Sequence, residues 1–188
     1  MKIKLINDKL PDRLVDIHKR AFEGFFLTTL GSDFLKLYYK SLMKNDNGIL
    51  IGLFDKNNFL IGFAAGTIHS KGFHKKILLQ NMFSFFMVLI KIIITNPYVF
   101  IRLFRNLSKK QNDGEYAELL SIAVPPKYNG KGFGKKLLSE FELRLKLEKV
   151  EKVVLTTDYY NNDSVVAFYK KANYEIYYDF ITFPNRRM

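Results

Sequence analysis

The sequence contains no cysteine among its 188 residues. This absence excludes a disulfide framework, a cysteine-ligated metal site and a thiol nucleophile. Histidine is also scarce, and the spacing of His18, His69 and His74 marks neither a metal site nor a catalytic triad. We therefore expect no metal centre, and we expect each histidine to be a weak candidate for a general base.

A long apolar leader is lacking as well. Residues 1–9, which read MKIKLINDK, hold no run long enough for a signal peptide, and this predicts a cytoplasmic protein. Almost half of the residues, 48%, are nevertheless apolar, and 188 residues of this composition suffice for the core of one domain. We therefore expect a single domain over residues 1–188.

Acidic residues are missing from one long stretch, Ser70 to Lys110. That stretch holds eight lysines and arginines, so it carries eight of the twelve net positive charges of the chain. A formal net charge of +12 favours anionic partners, such as coenzyme A, nucleotide-linked substrates, nucleic acid or lipid head groups. It disfavours polyamines and aminoglycosides as acceptors, because these cations would be repelled.

The middle of this basic stretch, residues 77–94, is apolar on nearly every side. A transmembrane span needs about 20 apolar residues, and this run is marginal and has polar interruptions. A membrane-surface helix needs one clean apolar face, and these apolar positions wrap too far around. We therefore predict a helical hairpin, with a second helix after Asn96-Pro97, that packs on the domain or on a second subunit of a homodimer. Peripheral membrane contact is the alternative that we favour less.

The order of the other patterns predicts an α/β chain. A short strand at residues 2–6 precedes two helical stretches, of which the second ends near Lys44. Two β-runs, 48–53 and 59–68, flank a polar turn and predict a hairpin. The next β-run begins only near Tyr116, so residues 70–113 approximately form an insertion between the third and the fourth strand.

A glycine-rich turn follows this fourth strand. The apolar run of residues 119–124 stops at Pro125-Pro126, and glycines recur at positions 130, 132 and 134 before a helical pattern. A backbone without Cβ atoms can bring its N–H groups close to an anion, and the first N–H groups of a helix lack partners. Lys135 stands where a P-loop or a dinucleotide-binding loop needs its next glycine, so these nucleotide loops are disfavoured.

A second pattern lies one helix and one strand later. Val153 to Thr157 is typical of a strand, and the order strand, helix, strand predicts a right-handed parallel crossover. After it, Asn162 precedes Tyr169 by seven residues, and Asn173-Tyr174 follows. Asparagine is the residue that best replaces glycine at a left-handed helix end.

Together, the two patterns resemble the GNAT superfamily of N-acyltransferases. The turn is similar to its acyl-CoA pyrophosphate loop, which is Gln or Arg followed by x-x-G-x-G or x-x-G-x-A, except that Asn129 replaces the Gln or Arg. The later stretch is similar to its second motif, in which Asn is followed seven residues later by Tyr and then by a Gly-Phe pair that starts a strand. The resemblance implies a mixed, mostly antiparallel twisted sheet flanked by helices, and acyl-CoA as co-substrate.

The same resemblance implies roles for individual residues. Tyr169 would reprotonate the thiolate of coenzyme A, since unperturbed pKa values are about 10 for tyrosine and about 8.5 for a thiol. Glu118 would be the general base through a water, or else a partner in a strand-edge salt bridge. Phe25 and Phe26 would line the acceptor side or lie in the core. The residues that would hold acyl-CoA are Ile122, Ala123, Val124, Asn129, Gly130, Lys131, Gly132, Phe133, Gly134, Lys135, Asn162 and Phe168.

For the acceptor, the resemblance favours enzymes that acylate amino-deoxy sugars on nucleotide carriers for bacterial surface polysaccharides. A nucleotide diphosphate sugar is anionic, which suits the basic insertion. A protein N-terminal or lysine acetyltransferase is the second hypothesis, although Phe25 and Phe26 would narrow a peptide groove. A module that binds nucleic acid or membrane without catalysis is the hypothesis that we favour least, so nucleic acid is not the partner that we expect.

Overall fold

The computed structural model describes residues 1–98, 115–183 and 185–188. These residues form a five-stranded sheet with helices on both faces and a separate two-stranded hairpin. A mixed α/β fold is therefore confirmed. The elements in chain order are β1 (Lys2–Leu5), α1 (Arg13–Ala21), α2 (Phe26–Thr29), α3 (Gly31–Met43), β2 (Gly48–Phe54), β3 (Leu60–Thr67), α4 (Phe73–Gln80), α5 (Met82–Thr95), β4 (Ala117–Ala123), α6 (Phe133–Leu147), β5 (Val153–Leu155), α7 (Asp163–Lys170), β6 (Ile181–Thr182) and β7 (Arg186–Arg187).

The strands of the large sheet lie in the order β1-β2-β3-β4-β5. The first three pairings are antiparallel and the last, between β4 and β5, is parallel. The predicted hairpin joins β2 to β3, and its turn is held by the Asp55 carboxylate, which accepts hydrogen bonds of 2.9 Å from the N–H groups of Asn57 and Phe59. The mostly antiparallel sheet that the sequence predicted is thus confirmed.

Each face of the sheet has its own apolar core. Helices α1, α3, α4 and α5 cover one face, where Leu14 and Leu35 pack against Phe63 of β3. Helix α6 and the end of α7 cover the other face, where Phe141 packs against strand residues that include Ile51. Because β2 and β3 are covered on both faces, their sequences are almost continuously apolar.

The insertion lies between β3 and β4, as predicted, but residues 77–94 do not form one continuous helix. Helices α4 and α5 meet at an angle of 91°. The break is at Asn81, whose backbone leaves the helical region (φ −126°, ψ 28°) and whose side-chain amide donates to the carbonyl of Ile77 at 3.4 Å. The second helix predicted after Asn96-Pro97 falls on residues outside the described ranges. No described helix alone is long and apolar enough to cross a membrane, whereas α4 and α5 together meet that criterion by length and composition.

The strand predicted to begin at Asn173-Tyr174 is a second correction. Asn173 does adopt the left-handed conformation, with φ 64°. The N–H of Tyr174 then donates back to the carbonyl of Tyr169 at 3.0 Å and closes the end of α7. Residues 171–180 form neither helix nor strand, and the next strand, β6, starts at Ile181 and pairs with β7.

Candidate active site

The glycine-rich turn forms an open backbone loop between β4 and α6. Gly130 and Gly132 have φ values of 72° and 73°, in the left-handed region that glycine tolerates best. A Cβ atom at either position would find no atom within 4 Å, so both glycines border open space. A side chain there would strain the backbone and fill the loop.

Six consecutive backbone N–H groups line this loop. Those of Gly130 to Lys135 donate no hydrogen bond to any residue of the described part of the chain, and the first that does is Lys136, to the carbonyl of Gly132 at 3.1 Å. Unbonded N–H groups at the start of a 15-residue helix carry partial positive charge. Lys127 and Lys131 lie over the ring of Tyr128, at 4.9 and 5.7 Å from its centroid. The loop is therefore built to bind an anion of phosphate type.

Two other residues of the loop anchor it to the protein. The side chain of Phe133 is only 8% exposed and belongs to the core under α6, so this residue offers a ligand only its backbone. Gly134 lies against α7, where a Cβ atom would be 3.6 Å from the ring of Phe168. The close approach brings the glycine loop next to the helix that carries Tyr169, although the two motifs lie about 35 residues apart in the sequence.

An open strand edge continues from this loop. Strands β4 and β5 pair only from Ala117 to Leu119, whereas β4 extends to Ala123. Leu120 is the extra residue of a bulge against β3, because Ala65 pairs with Ser121 and Gly66 pairs with Leu119. The backbone of residues 120–123 therefore lacks a strand partner on the β5 side within the described ranges. Ile122 and Ala123, two of the residues expected to hold acyl-CoA, form this edge.

Tyr169 lies near the end of α7 and is 9% exposed. Its ring contacts those of Phe168 and Tyr174, with centroids 5.1 and 5.6 Å apart. Burial raises the pKa of its phenol to about 12. The hydroxyl therefore stays protonated at physiological pH, as a proton donor must.

Asn162 stabilises the loop that connects β5 to α7. Its side-chain amide donates to Oγ1 of Thr157 at 2.7 Å and to the carbonyl of Asp158 at 2.9 Å. Because these bonds use both amide hydrogens, a ligand could bind only to its side-chain oxygen.

The other expected catalytic residue, Glu118, faces the core under α1 and α3. It pairs with Thr67 across the sheet, and its carboxylate accepts a hydrogen bond of 3.0 Å from the hydroxyl of Ser70. Glu118 forms no salt bridge with any residue in the described ranges. The hydroxyl of Tyr38 is buried and has no hydrogen-bond partner among the described residues, and its pKa is raised mainly by burial, with smaller contributions from Tyr39 and Glu118.

A chain of three buried polar groups, which sequence reasoning missed, ends at the bulge of β4. His18 Nδ1 lies 2.7 Å from the hydroxyl of Tyr39, which donates to Oγ of Ser121 at 3.2 Å. Burial lowers the pKa of His18 to about 4, so its ring is neutral, and no described residue is a hydrogen-bond partner of His18 Nε2. The only signal in the sequence was a polar residue, Ser121, inside an apolar strand.

The expected acceptor residues lie between α1 and α3. Phe25 is half-buried under the guanidinium group of Arg186, which lies 3.7 Å from the centroid of its ring. The same guanidinium makes a bidentate ion pair with Asp158 and donates to the carbonyl of Gly24 at 2.9 Å. Phe26 packs at the edge of the core. Arg186 thus connects the C-terminal hairpin to the loop after β5 and to the segment between α1 and α2. No short pattern in the sequence predicted this contact.

Two open depressions of about 420 and 680 Å³ lie away from this loop and strand edge. The smaller one lies at the end of α7, and the larger one lies at the amino-terminal ends of β4 and β5. Among the residues that the structure describes, no group of three or more histidine, aspartate or glutamate side chains could hold a metal ion. The loop and the strand edge together remain the candidate active site.

The fold and these motifs agree with comparisons to known proteins. A search of the curated proteins found no match. Among solved structures, aminoglycoside 6'-N-acetyltransferase AAC(6')-Ih from Acinetobacter baumannii has a TM-score of 0.63 at 11% identity, with 98% of this chain and 97% of that chain covered. AAC(6')-Iy in complex with a bisubstrate analogue of CoA has a TM-score of 0.63 at 14% identity, with coverages of 98% and 97%.

A third structure is a GNAT family acetyltransferase from Elizabethkingia anophelis with acetyl-CoA bound. Its TM-score is 0.57 at 17% identity, with 97% of this chain and 80% of that chain covered. Likeness at these identities establishes the fold. The family model described as "Acetyltransferase (GNAT) family" matches residues 12–174, which include the glycine loop and Tyr169. The chain therefore belongs to the GNAT acetyltransferase family and is an acyl-CoA-dependent acetyltransferase.

Proposed function

We propose that the protein transfers an acetyl or larger acyl group from acyl-CoA to the amino group of a nucleotide-linked amino-deoxy sugar. The observation that carries the acyl-CoA part is the row of six unbonded N–H groups from Gly130 to Lys135. A pyrophosphate supplies acceptor oxygens for such a row, and the left-handed glycines leave room for it.

The acyl arm of the donor would extend from this loop along the free edge of β4. The pantetheine part contains amide groups, which can pair with the unpartnered backbone of residues 120–123 as a short strand would. The thioester carbonyl would then lie near Ile122 and Ala123, where a backbone N–H can stabilise the oxyanion. One such donor contributes about 3 to 4 kcal/mol to the transition state.

Proton transfer would accompany direct attack of the amine on the thioester. The amine loses a proton to Glu118 through a water as the C–N bond forms, and the carboxylate is oriented for this by Ser70. When the C–S bond breaks, the thiolate takes a proton from the hydroxyl of Tyr169, and the phenolate regains a proton from water as coenzyme A leaves. The pKa of about 12 keeps the hydroxyl protonated beforehand, but it lies above the value of about 8.5 of an unperturbed thiol, so burial makes this transfer less favourable.

An anionic acceptor suits the charge of the chain. The protein carries a net charge of +12, with eight of these charges between residues 70 and 110. Arg186 lies beside Phe25 at the expected acceptor side, although its own charge is balanced by Asp158. The aminoglycoside N-acetyltransferases that share this fold are named for cationic substrates. A panel that contains both anionic and cationic acceptors therefore distinguishes nucleotide-linked sugars from aminoglycosides.

Thiol release from acetyl-CoA tests the proposal. The panel contains a nucleoside-diphosphate amino-deoxy sugar, the same amino sugar without its nucleotide, an aminoglycoside and a peptide with a free amine. We expect turnover with the nucleotide-linked sugar and at least about tenfold lower kcat/KM without the nucleotide, a loss of about 1.4 kcal/mol. Turnover with only the aminoglycoside or only the peptide would refute the nucleotide-linked sugar as acceptor, while the proposed acyl transfer from acyl-CoA would stand. Longer acyl-CoAs on the preferred acceptor then define the donor.

A further inference from the structure

The insertion presents a large apolar surface that residues 1–98, 115–183 and 185–188 leave uncovered. We call helices α4 and α5, residues 73–95, the elbow. Its inner side packs on the core, with Phe73, Ile77, Phe85 and Ile92 buried. The ring of Phe85 lies 5.5 Å from that of Phe34 in α3, so the elbow is attached to the face of the sheet that holds Glu118.

The outer side of the elbow is apolar and exposed. Seven exposed side chains of α5 fall within an arc of about 140° at 100° per residue, and no polar residue lies inside that arc. Together with two side chains of α4, this is more apolar surface than the roughly 300–600 Å² of the largest patch on an ordinary monomer. The nine exposed side chains are Leu78, Leu79, Met82, Phe83, Phe86, Met87, Ile90, Ile93 and Ile94.

Positive charge borders this apolar surface. Lys75 is exposed one turn before Leu78 and Leu79 and points between their directions on α4. Lys71 and Lys76 are also exposed. The elbow itself contains no acidic residue, and the acid that it contacts, Asp33 of α3, pairs with Lys91 at 2.6 Å.

We propose that the elbow docks on the surface of a lipid bilayer that contains anionic lipids. The exposed arc supplies the apolar face, the lysines supply attraction to phosphate head groups, and the buried side keeps the elbow attached to the enzyme. The sequence pattern argued against a surface helix because apolar positions surround α5. The structure explains why apolar positions surround α5. One apolar side packs on α3, and the opposite apolar side is exposed in the described part of the chain.

Charge decides between a membrane and a second copy of the chain. A symmetric contact through the elbow would bring two lysine-rich borders together, each without a neighbouring free acid on the elbow. Anionic head groups complement the same borders. Each lysine near such a surface contributes roughly 1 kcal/mol to binding, which is weakened by salt.

Flotation with lipid vesicles tests the proposal on the full chain. The vesicles contain either phosphatidylcholine alone or a 7:3 mixture of phosphatidylcholine and phosphatidylglycerol. We expect binding to the anionic vesicles and at least about tenfold weaker binding to the neutral ones or at high salt. The triple variant Phe83→Ser/Phe86→Ser/Met87→Ser should bind at least tenfold more weakly, and Lys75→Gln/Lys76→Gln should lose the preference for anionic lipid.

The matched control changes three exposed apolar side chains elsewhere, as Ile176→Ser/Tyr177→Ser/Tyr178→Ser. It should bind vesicles like the unchanged protein. The proposal is overturned if the unchanged protein does not float, or if the Phe83 triple variant floats equally well. A dimer of the unchanged protein in light scattering that becomes a monomer in that variant, without flotation of either, would assign the elbow to a second copy.

Discussion

The two faces of the sheet differ in how they are assembled. The face under α6 and α7 is covered by helices that lie close together in the sequence, within residues 133–170, and that pack on strands β2, β3 and β4. The face under α1, α3 and the elbow combines groups from distant parts of the chain, such as His18, Tyr39 and Ser121. The first face carries the anion loop and Tyr169, and the second carries Glu118 and a buried polar chain.

This difference suggests that the two faces of the sheet, on either side of β4, have different roles in the proposed reaction. The proposed donor site is a local structure, in which a loop and the next helix present unbonded backbone N–H groups. The proposed acceptor site depends on side chains that meet only in the folded protein. Variants of the glycine loop should therefore weaken CoA binding, whereas variants of the two proposed proton-transfer residues, one on each face, should lower kcat. The following four predictions are ordered by the size of the expected effect.

The largest effect is expected at the loop. Gly132→Val would force a β-branched residue into the left-handed region and would fill the space beside the N–H groups. Loss of two or three charge-assisted hydrogen bonds should weaken CoA binding about 1,000-fold, as measured by calorimetry. Gly72→Val is the matched control, because Gly72 also precedes a helix with φ 70° and open space. Equal affinities of the two variants would contradict the loop's role.

A smaller effect is expected at the proton donor. Tyr169→Phe should lower kcat by about 100- to 1,000-fold while the affinity for CoA stays unchanged, because the hydroxyl acts only when the thiolate leaves. Stopped-flow thiol release and calorimetry measure the two quantities separately. Tyr174→Phe removes a neighbouring buried phenol and should leave kcat nearly unchanged. An unaltered kcat in Tyr169→Phe would remove this residue from the mechanism.

On the other face, Glu118→Gln should lower kcat by about 100-fold at pH 7 and leave the affinity for CoA unchanged. Since a missing base matters less when the amine is already neutral, the loss should shrink as the pH rises towards the pKa of the amine. The pH profile of kcat/KM measures this. Glu115→Gln, an exposed change three residues earlier, is the control. A loss that is constant with pH would argue for a structural role of Glu118.

The smallest effect is a pH dependence of stability. The pKa of His18 falls from 6.5 to about 4 on folding, so the unfolded state binds more protons between these values and stability decreases as the pH falls through this window. The free energy of unfolding should drop by about 2 kcal/mol between pH 7 and pH 5 from this residue. Urea titrations should show that His18→Leu lacks this part of the decrease in the free energy of unfolding and that His69→Gln retains it. The same dependence of this free energy on pH in the unchanged protein and both variants would contradict the role of His18.

Several features could be predicted from the sequence because their causes are local. The strand before Pro125, the left-handed glycines at positions 130 and 132 and the helix after them follow from backbone preferences over a few residues. The left-handed turn at Asn173 has the same origin. The strand predicted to start there was wrong, because a strand needs a partner edge and that part of the chain pairs only later, at Ile181.

The insertion shows the limit of pattern reasoning more clearly. A hydrophobic pattern does not indicate which side of a helix meets the core or where the helix bends, so residues 77–94 predicted one helix, while the structure bends by 91° at Asn81. The exposed apolar arc of α5 could be identified only from the structure, because packing against α3 determines which side of α5 is buried. Likewise, the ion pair of Arg186 with Asp158 joins residues 28 positions apart that have no pattern in common.

By itself, the sequence determined the glycine loop, its position after β4 and the spacing of Asn162 and Tyr169, because these depend on Cβ atoms, prolines and helix ends. Only the tertiary structure decided which groups meet across the sheet. Ser70 reaches Glu118 because β3 and β4 pair antiparallel. His18 reaches Ser121 through Tyr39 because α1 and α3 pack on the same face of the sheet. It also decided which apolar side of the elbow is buried, since that choice depends on the neighbouring helix and not on the helix itself.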